Sequence, residues 1–253
     1  LLMFCGVYRS DYILEPAYAA LLAGKLDMNA ATLEQKKSKT FAFDVFNGSM
    51  GFMNGLYIAQ KMMEAEKYKR VMIVSSEIEN NVGIASDVRV GLTSSASAII
   101  IDAHSPEGNG FSPFHFKYDV GALDAYSSNA SYSSQEIKLR MNVEKDPELE
   151  SKYIAIIEHA VDELLEKEAL ELDQITKVFP PQISSGFIVR LGNHLKFAKE
   201  KYINVVGEGP DLFTSSLPFG MNEAIEKKLV KTGDLGLIIT VGSGLQVGCV
   251  IYK

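Results

Sequence analysis

Phe41-Ala42-Phe43-Asp44-Val45-Phe46-Asn47-Gly48-Ser49-Met50-Gly51-Phe52 decides how this chain is read. Residues 41–46 are apolar and aromatic except for Asp44, the composition of a strand covered on both faces. Asn47-Gly48 is a turn signal. From Met50 onward, Met50, Met53, Leu56, Tyr57, Met62 and Met63 recur near helical spacing, which predicts a helix to about Lys67. Ser49 therefore stands where a strand turns into a helix N-terminus. Unpaired backbone N–H groups and the helix dipole favour negative charge there, which suits a nucleophile. The same place suits a serine that only caps the helix. Local sequence leaves both readings open.

The elements on either side form an alternating series. Upstream, residues 1–7 read as a buried strand and 15–25 as a helix, with Pro16 in its tolerant first turn. Residues 26–40 are polar, a loop or a short surface helix. Downstream, 70–75 is an apolar β-branched strand. Strand, helix, strand, helix, strand implies parallel pairing by crossover. Residues 77–90 read as a loop, and 92–101 as a strand whose small residues give way to bulky ones. A turn at 106–110 leads to an aromatic strand over 111–118. Residues 119–136, rich in Ser, Asn and Tyr, read as a long irregular loop and the candidate lid of an entrance.

The second part repeats this element order. A long helix spans 147–172, with Ile154, Ile157, Val161, Leu164 and Leu165 on one face. A strand over 174–179 stops at Pro180-Pro181, and a helix follows over 183–195. Residues 202–206 are extended, 217–230 form a helix with Pro218 in its first turn, and strands 235–241 and 245–252 flank Gly242-Ser243-Gly244. The expected fold is α/β with two similar halves, 1–105 and 106–253.

Composition narrows the class. With 253 residues, 47% of them hydrophobic, a large core is attainable. A net charge of −7 argues against nucleic acid as the main partner. Lys36, Lys37 and Lys39 form a short basic cluster, either a solvated loop or a docking spot for an acidic protein or phosphate-bearing carrier. Cys5 and Cys249 sit in apolar runs and make neither metal spacing nor a disulfide framework. No metal is expected. No apolar run is long enough for a membrane span. The first residues lack the basic start of a signal peptide and read as a core strand entered midway. Without an initiator Met, the expectation is that an N-terminal piece is absent. A reducing cytoplasm is the expected compartment.

Three separated stretches resemble the 3-oxoacyl-acyl-carrier-protein synthase III family of the thiolase-like superfamily. Residues 43–52 resemble its nucleophile elbow, where the family has Asp-Val, three residues, Cys, one residue, Gly-Phe. Phe179-Pro180-Pro181-Gln182 resembles its Pro-His-Gln stretch, and Asp211-Leu212-Phe213-Thr214-Ser215-Ser216-Leu217-Pro218 its Asn-Thr-Ser segment. Gly233-Asp234-Leu235 and the run from Val241 to Gly248 resemble its closing Gly-Asp-Leu and Gly-rich loop. Order and spacing agree over nearly the whole chain. The family's first strand-helix-strand unit is expected to be missing ahead of Leu1.

The resemblance implies a five-layer α-β-α-β-α fold of two similar halves, usually a homodimer, with 15–25 and 41–46 as interface elements. It implies a site at the junction of the halves, with a tunnel for a thioester-linked acyl chain. The substrate would be acyl-CoA or the phosphopantetheine of an acyl carrier protein, with no bound cofactor. The family loads an acyl group on Cys and uses His and Asn to decarboxylate a malonyl thioester and join the two. Here the Cys position is Ser49, the His position Pro181 and the Asn position Asp211. The middle glycine of the Gly-rich loop is Ser243, whose backbone N–H survives the change. By resemblance, Ser49 and Ser243 form the oxyanion hole, and Phe46, Asn47, Met50 and Phe213 lie against substrate.

Three readings follow. One is an acyltransferase of fatty-acid or polyketide-type biosynthesis using Ser49, with Asp211 as base if burial raises its pKa. The other is a catalytically silent paralogue that pairs with an active homologue in a heterodimer, or holds an acyl ligand. Substrate-assisted chemistry, in which the substrate supplies the base, is a third. A serine hydroxyl needs an adjacent base to attack a thioester. None of the four histidines falls at a family catalytic position. His104 and His115 flank the turn near 108, His159 lies in the long helix, and His194 ends the helix after Pro181. There His194 reads as a partner for free helix carbonyls. It joins Ser49 and Asp211 only if that helix folds back into the pocket.

Overall fold

The computed structural model describes residues 1–29, 39–81, 89–103, 109–133 and 138–253. Lys36, Lys37, His104 and the first part of the 106–110 turn lie outside the described residues.

Two four-stranded sheets carry the fold. The first has the order β2-β1-β3-β4, from β1 (Leu2–Phe4), β2 (Ala42–Asp44), β3 (Arg70–Glu77) and β4 (Ser95–Asp102). β1 pairs in parallel with β2 and β3, as crossover connections require, and β3 pairs antiparallel with β4. The second has the order β5-β10-β9-β8, from β5 (His115–Tyr118), β8 (Lys177–Phe179), β9 (Gly236–Gly242) and β10 (Gln246–Tyr252). Here β8 and β9 are parallel, while β10 runs antiparallel to β5 and β9.

Helices fill the remaining layers. α1 (Tyr18–Lys25) covers β1 and β2 on the outside of the first sheet. α2 (Gly51–Glu64) and α5 (Ser216–Glu226) lie between the sheets, in a core that joins Met3, Phe52, Leu56 and Ile73 to Leu217, Ile238 and Val250. α3 (Leu149–Glu168) and α4 (Ser185–Leu195) cover the far face of the second sheet. The layer order is therefore α-β-α-β-α.

The central packing depends on glycines that admit side chains of α2. A Cβ at Gly242 would meet Met50 Cγ at 2.6 Å, and one at Gly248 would meet Met50 Cε and Met53 Cγ, each at 2.9 Å. Gly51 itself lies against the Cys5 carbonyl of β1's trailing end, 2.9 Å from where its Cβ would be.

Several expectations need correction. The 41–46 strand is not covered on both faces. β2 is three residues long and sits at the sheet edge, with Phe41 and Phe46 exposed. Asp44 is apolar company's exception because it is used: its two oxygens accept from Tyr18 N (3.0 Å) and Ala19 N (2.9 Å), capping α1, and it pairs with Arg9 at 2.8 Å. α1 thus begins after Pro16, at the point where a borrowed carboxylate meets its free N–H groups. The 119–136 lid loop is instead a short 3-10 segment (Val120–Ala125) and the strand β6 (Tyr126–Ser133), paired with β7 (Lys138–Lys145). Alternating Tyr, Ser, Asn and Ala fit a hairpin ladder whose backbone bonds hold it without a large apolar face. Residues 202–206 form only a bridge, Val178↔Tyr202, and α5 ends at Glu226 because Lys228 turns left-handed (φ 53°).

Gly51→Ala pushes a methyl against two backbone carbonyls, Cys5 O and Val45 O. It is expected to cost about 1–3 kcal/mol in urea unfolding. Gly24→Ala in α1, where nothing lies within 4 Å, is the matched control and is expected to stabilise by about 0.5–1 kcal/mol.

Candidate active site

Ser49 is positioned by a tight turn and not by helix capping. Gly48 adopts φ 51°, and Gly51 N bonds Gly48 O at 3.1 Å. The N-cap of α2 is Met50 in helical conformation, and no side chain caps it. The Ser49 hydroxyl instead donates to the Val241 carbonyl at the end of β9. This bond crosses from the first half of the chain to the second.

Asn47 fastens the same joint. Its amide donates to Asn54 Oδ1 at 2.6 Å and exchanges bonds with Gln246 of β10, at 3.0 and 3.2 Å. Gln246 also donates to Ser243 O at 2.8 Å, so the turn between β9 and β10 is tied to the elbow. Ser243 Oγ lies 3.0 Å from where a Cβ on Gly48 would be.

One cavity of about 430 Å³ gathers the separated stretches. Ser49, Pro181, Asp211, Phe213 and Ser243 all line it. The facing wall comes from the β6–β7 hairpin and the start of α3, with Tyr126, Lys145, Leu149 and Tyr153. Arg190 at the wall is paired with Glu150.

Gln182 sets how two of these stretches lie. It is 1% exposed, and its side chain is fully bonded. Nε2 donates to Pro180 O (3.1 Å) and Ile203 O (2.9 Å), while Oε1 accepts from Val205 N (2.8 Å) and Val206 N (3.2 Å). Its backbone carbonyl accepts from Leu212 N at 3.1 Å, beside Asp211.

Asp211 and Glu77 are the acids whose pKa burial raises. Burial raises the Asp211 pKa to about 6, against the opposing pull of the Phe213 N–H (2.7 Å) and Lys145. Burial also raises Glu77 to about 7, although Thr214 Oγ1, Tyr8 N and Val7 N bond it; the Asp211 charge adds to the rise. Tyr126, on the cavity wall, shares a 2.5 Å hydroxyl contact with Tyr8. Burial pushes the Cys5 and Cys249 thiols well up, so neither is a ready thiolate.

The structure thus brings Ser49, Pro181, Asp211, Phe213 and Ser243 together. It places the other three differently. Met50 is fully buried in the central core, with its sulfur accepting from Thr240 Oγ1 at 3.2 Å. Phe46 is exposed and lies over the Arg9 guanidinium. Asn47 spends its amide on Asn54 and Gln246. No histidine among the described residues lines the cavity. His194 faces Glu158 of α3 at 3.1 Å, and His115 bonds Glu163 at 2.8 Å. Among the described residues there is no group of three or more His, Cys, Asp or Glu that could hold a metal, and no helix long and apolar enough to cross a membrane.

Sequence reading missed Glu77, Tyr8, Tyr126 and Lys145. For Glu77 a signal existed. Val71, Ile73, Ser75 and Glu77 share one parity of β3, and all four are buried. For the hairpin residues there was none, because their strands were hidden in a polar stretch.

This layered architecture recurs in solved thiolase-like enzymes. The chain superposes on β-ketoacyl-[acyl-carrier-protein] synthase III from Thermus thermophilus with a TM-score of 0.81 at 20% identity, covering 99% of this chain and 76% of that one. A serine variant of Xanthomonas campestris OleA, with bound lauric acid and lauroyl-CoA, gives a TM-score of 0.81 at 18% identity, over 100% and 75%. In sequence, residues 43–120 match 3-oxoacyl-[acyl-carrier-protein] synthase III, and residues 165–253 match its C-terminal region. β-Ketoacyl-[acyl-carrier-protein] synthase III of Aliarcobacter butzleri is 26% identical over 261 residues, 100% of this chain and 76% of that protein. The Helicobacter pylori enzyme of the same name is 27% identical over 261 residues, 98% and 74%. The chain belongs to the 3-oxoacyl-[acyl-carrier-protein] synthase III family.

Replacing Gln182 with Met would leave four backbone groups unpaired. The expected loss is about 3–5 kcal/mol by denaturant unfolding.

Proposed function

We propose that this chain holds an acyl thioester in the cavity beside Ser49 and does not carry out decarboxylative condensation. The observation behind this reading is the Ser49 hydroxyl, whose proton is given to the Val241 carbonyl and to no base. An alcohol without a proton acceptor attacks a thioester too slowly to matter. By resemblance Pro181 stands at the family's imidazole position, and its ring neither donates nor accepts. The thioester would come from CoA or from the phosphopantetheine of an acyl carrier protein. The OleA serine variant with bound lauroyl-CoA is a fold relative in which thioester binding accompanies a serine substitution.

Asp211 favours a second reading, acyl transfer to Ser49. A carboxylate with a pKa of about 6 on the same cavity is suited to act as a base near neutral pH. It would take the Oγ proton as Oγ attacks the carbonyl carbon. As the C–S bond breaks, it would return the proton to the departing thiolate. Calorimetry and intact-protein mass spectrometry with acetyl-CoA and lauroyl-CoA separate the readings. Saturable binding with an unchanged protein mass is expected. An acyl mass increase that Ser49→Ala removes overturns the first reading for the second. Absence of binding to both thioesters overturns the two together.

The proposed assembly is a dimer built on the edge of β2, a homodimer or a heterodimer with an active homologue. Among the described residues β2 has an unpaired side, and Phe41 (53% exposed) and Phe46 (61%) at its two ends present apolar surface. Phe41→Lys is expected to lower the sedimentation coefficient from that of a dimer to that of a monomer. A wild-type chain that sediments as a monomer alone and in the presence of an active homologue rules the dimer out.

A further inference from the structure

Glu77 closes β3 on the strand's inward face and is fully buried. A buried carboxyl is costly unless its oxygens are bonded. Both of these are. Oε2 accepts from Tyr8 N at 2.8 Å, Val7 N is shared between the two oxygens at 3.2 Å, and Oε1 accepts from Thr214 Oγ1 at 2.5 Å. The donors come from opposite parts of the chain. Val7 and Tyr8 follow β1. Thr214 belongs to the turn that presents Asp211 to the cavity.

That turn does not hold its shape by local preference. Phe213 has φ 49°, a left-handed conformation that a bulky residue adopts only when its surroundings impose it. Two side-chain bonds impose it here: Asp211 Oδ1 accepts from Phe213 N, and Thr214 donates to Glu77. The ring of Phe213 packs on Tyr8 at 5.2 Å, so the Tyr8 segment that Glu77 grips also supports the turn.

We propose that Glu77 is a positioning residue for Asp211: it bonds Thr214 on one side and Val7 and Tyr8 on the other, clamps the 211–215 turn between them, and so couples the cavity-facing acid to the buried one. Asp211 is the partner whose charge opposes ionisation of Glu77. Cys5 and Tyr8 lie on the side of the N-terminal segment, and Tyr126 and Tyr153 face the pair from β6 and α3. Burial raises all four, so they stay neutral through neutral pH. Lys145 of β7 is the cation that acts on Asp211. Arg9, the other cation near this segment, is paired with Asp44.

The consequence is a signature in stability against pH. Glu77 is raised to about 7 and Asp211 to about 6 in the folded protein. The folded state therefore binds more protons than the unfolded one between each ordinary carboxyl value and the raised value. Both contributions are complete at low pH and are lost as pH rises, that of Asp211 by about 6 and that of Glu77 by about 7.

Urea unfolding of the full chain across pH 5 to 8 tests this without any thioester, so its failure leaves the proposed function standing. Wild type is expected to lose stability up to about pH 7. Glu77→Gln keeps the shape and most of the bonds and is expected to remove the loss between about pH 6 and 7. Asp211→Asn removes the neighbouring charge and is expected to move the Glu77 loss to lower pH. The proposal is overturned if Glu77→Gln retains the wild-type slope in that window. It is equally overturned if Asp211→Asn leaves the Glu77 loss where it was, since the two acids would then not be coupled. Should Glu77→Gln fail to fold, the Asp211→Asn comparison decides alone.

Discussion

The buried amide of Gln182 is the constraint on which the second half of the site rests. It bonds four backbone groups from two segments, and its own carbonyl holds Leu212. Inside a protein each of those groups would be expensive to leave unpaired. The segments at 180–182, 203–206 and 211–212 therefore adopt one mutual arrangement. Pro181 and Asp211 reach the same cavity because one residue holds both stretches, its side chain tying 180 to 203–206 and its backbone carbonyl holding Leu212.

The first half of the site is joined to the second by a comparable device. The paired amides of Asn47 and Gln246 link the elbow to the β9–β10 turn, and Ser49 bonds the Val241 carbonyl. Glycines at 242 and 248 let Met50 and Met53 approach the second sheet, so α2 packs against both sheets at once. This architecture is that of the 3-oxoacyl-[acyl-carrier-protein] synthase III family. On its cavity the Ser49 hydroxyl donates to a carbonyl, Pro181 brings a ring with no proton to move, and Asp211 stands near a second buried acid.

Much of the fold was legible in the chain, for reasons specific to its elements. α3 and α4 announce themselves because their apolar residues recur at helical spacing, and β9 and β10 because they are short apolar runs around a Gly-Ser-Gly turn. The β6–β7 hairpin was illegible because its Ser, Asn and Tyr residues follow loop composition, and only pairing with a second strand makes it regular. β2 was misread in its environment. Phe41, Phe43 and Phe46 look like core, yet they stand at a sheet edge where two of the three are exposed. Aromatic content measures the tendency to be covered and does not say by what.

The sequence by itself determined the strand-turn-helix elbow and the position of Ser49 on it, which are local properties of turn chemistry and apolar period; only its resemblance to the family marked the Pro181 and Asp211 stretches as partners of that elbow. Only the tertiary structure decided where the Ser49 proton goes, that no described histidine lines the cavity, and that Glu77 stands behind Asp211. Hydrogen-bond partners and desolvation are set by residues distant in the chain, and a carboxyl's pKa depends on what encloses it. That is why the same sequence could reveal the scaffold of the site while leaving its protons to be located in three dimensions.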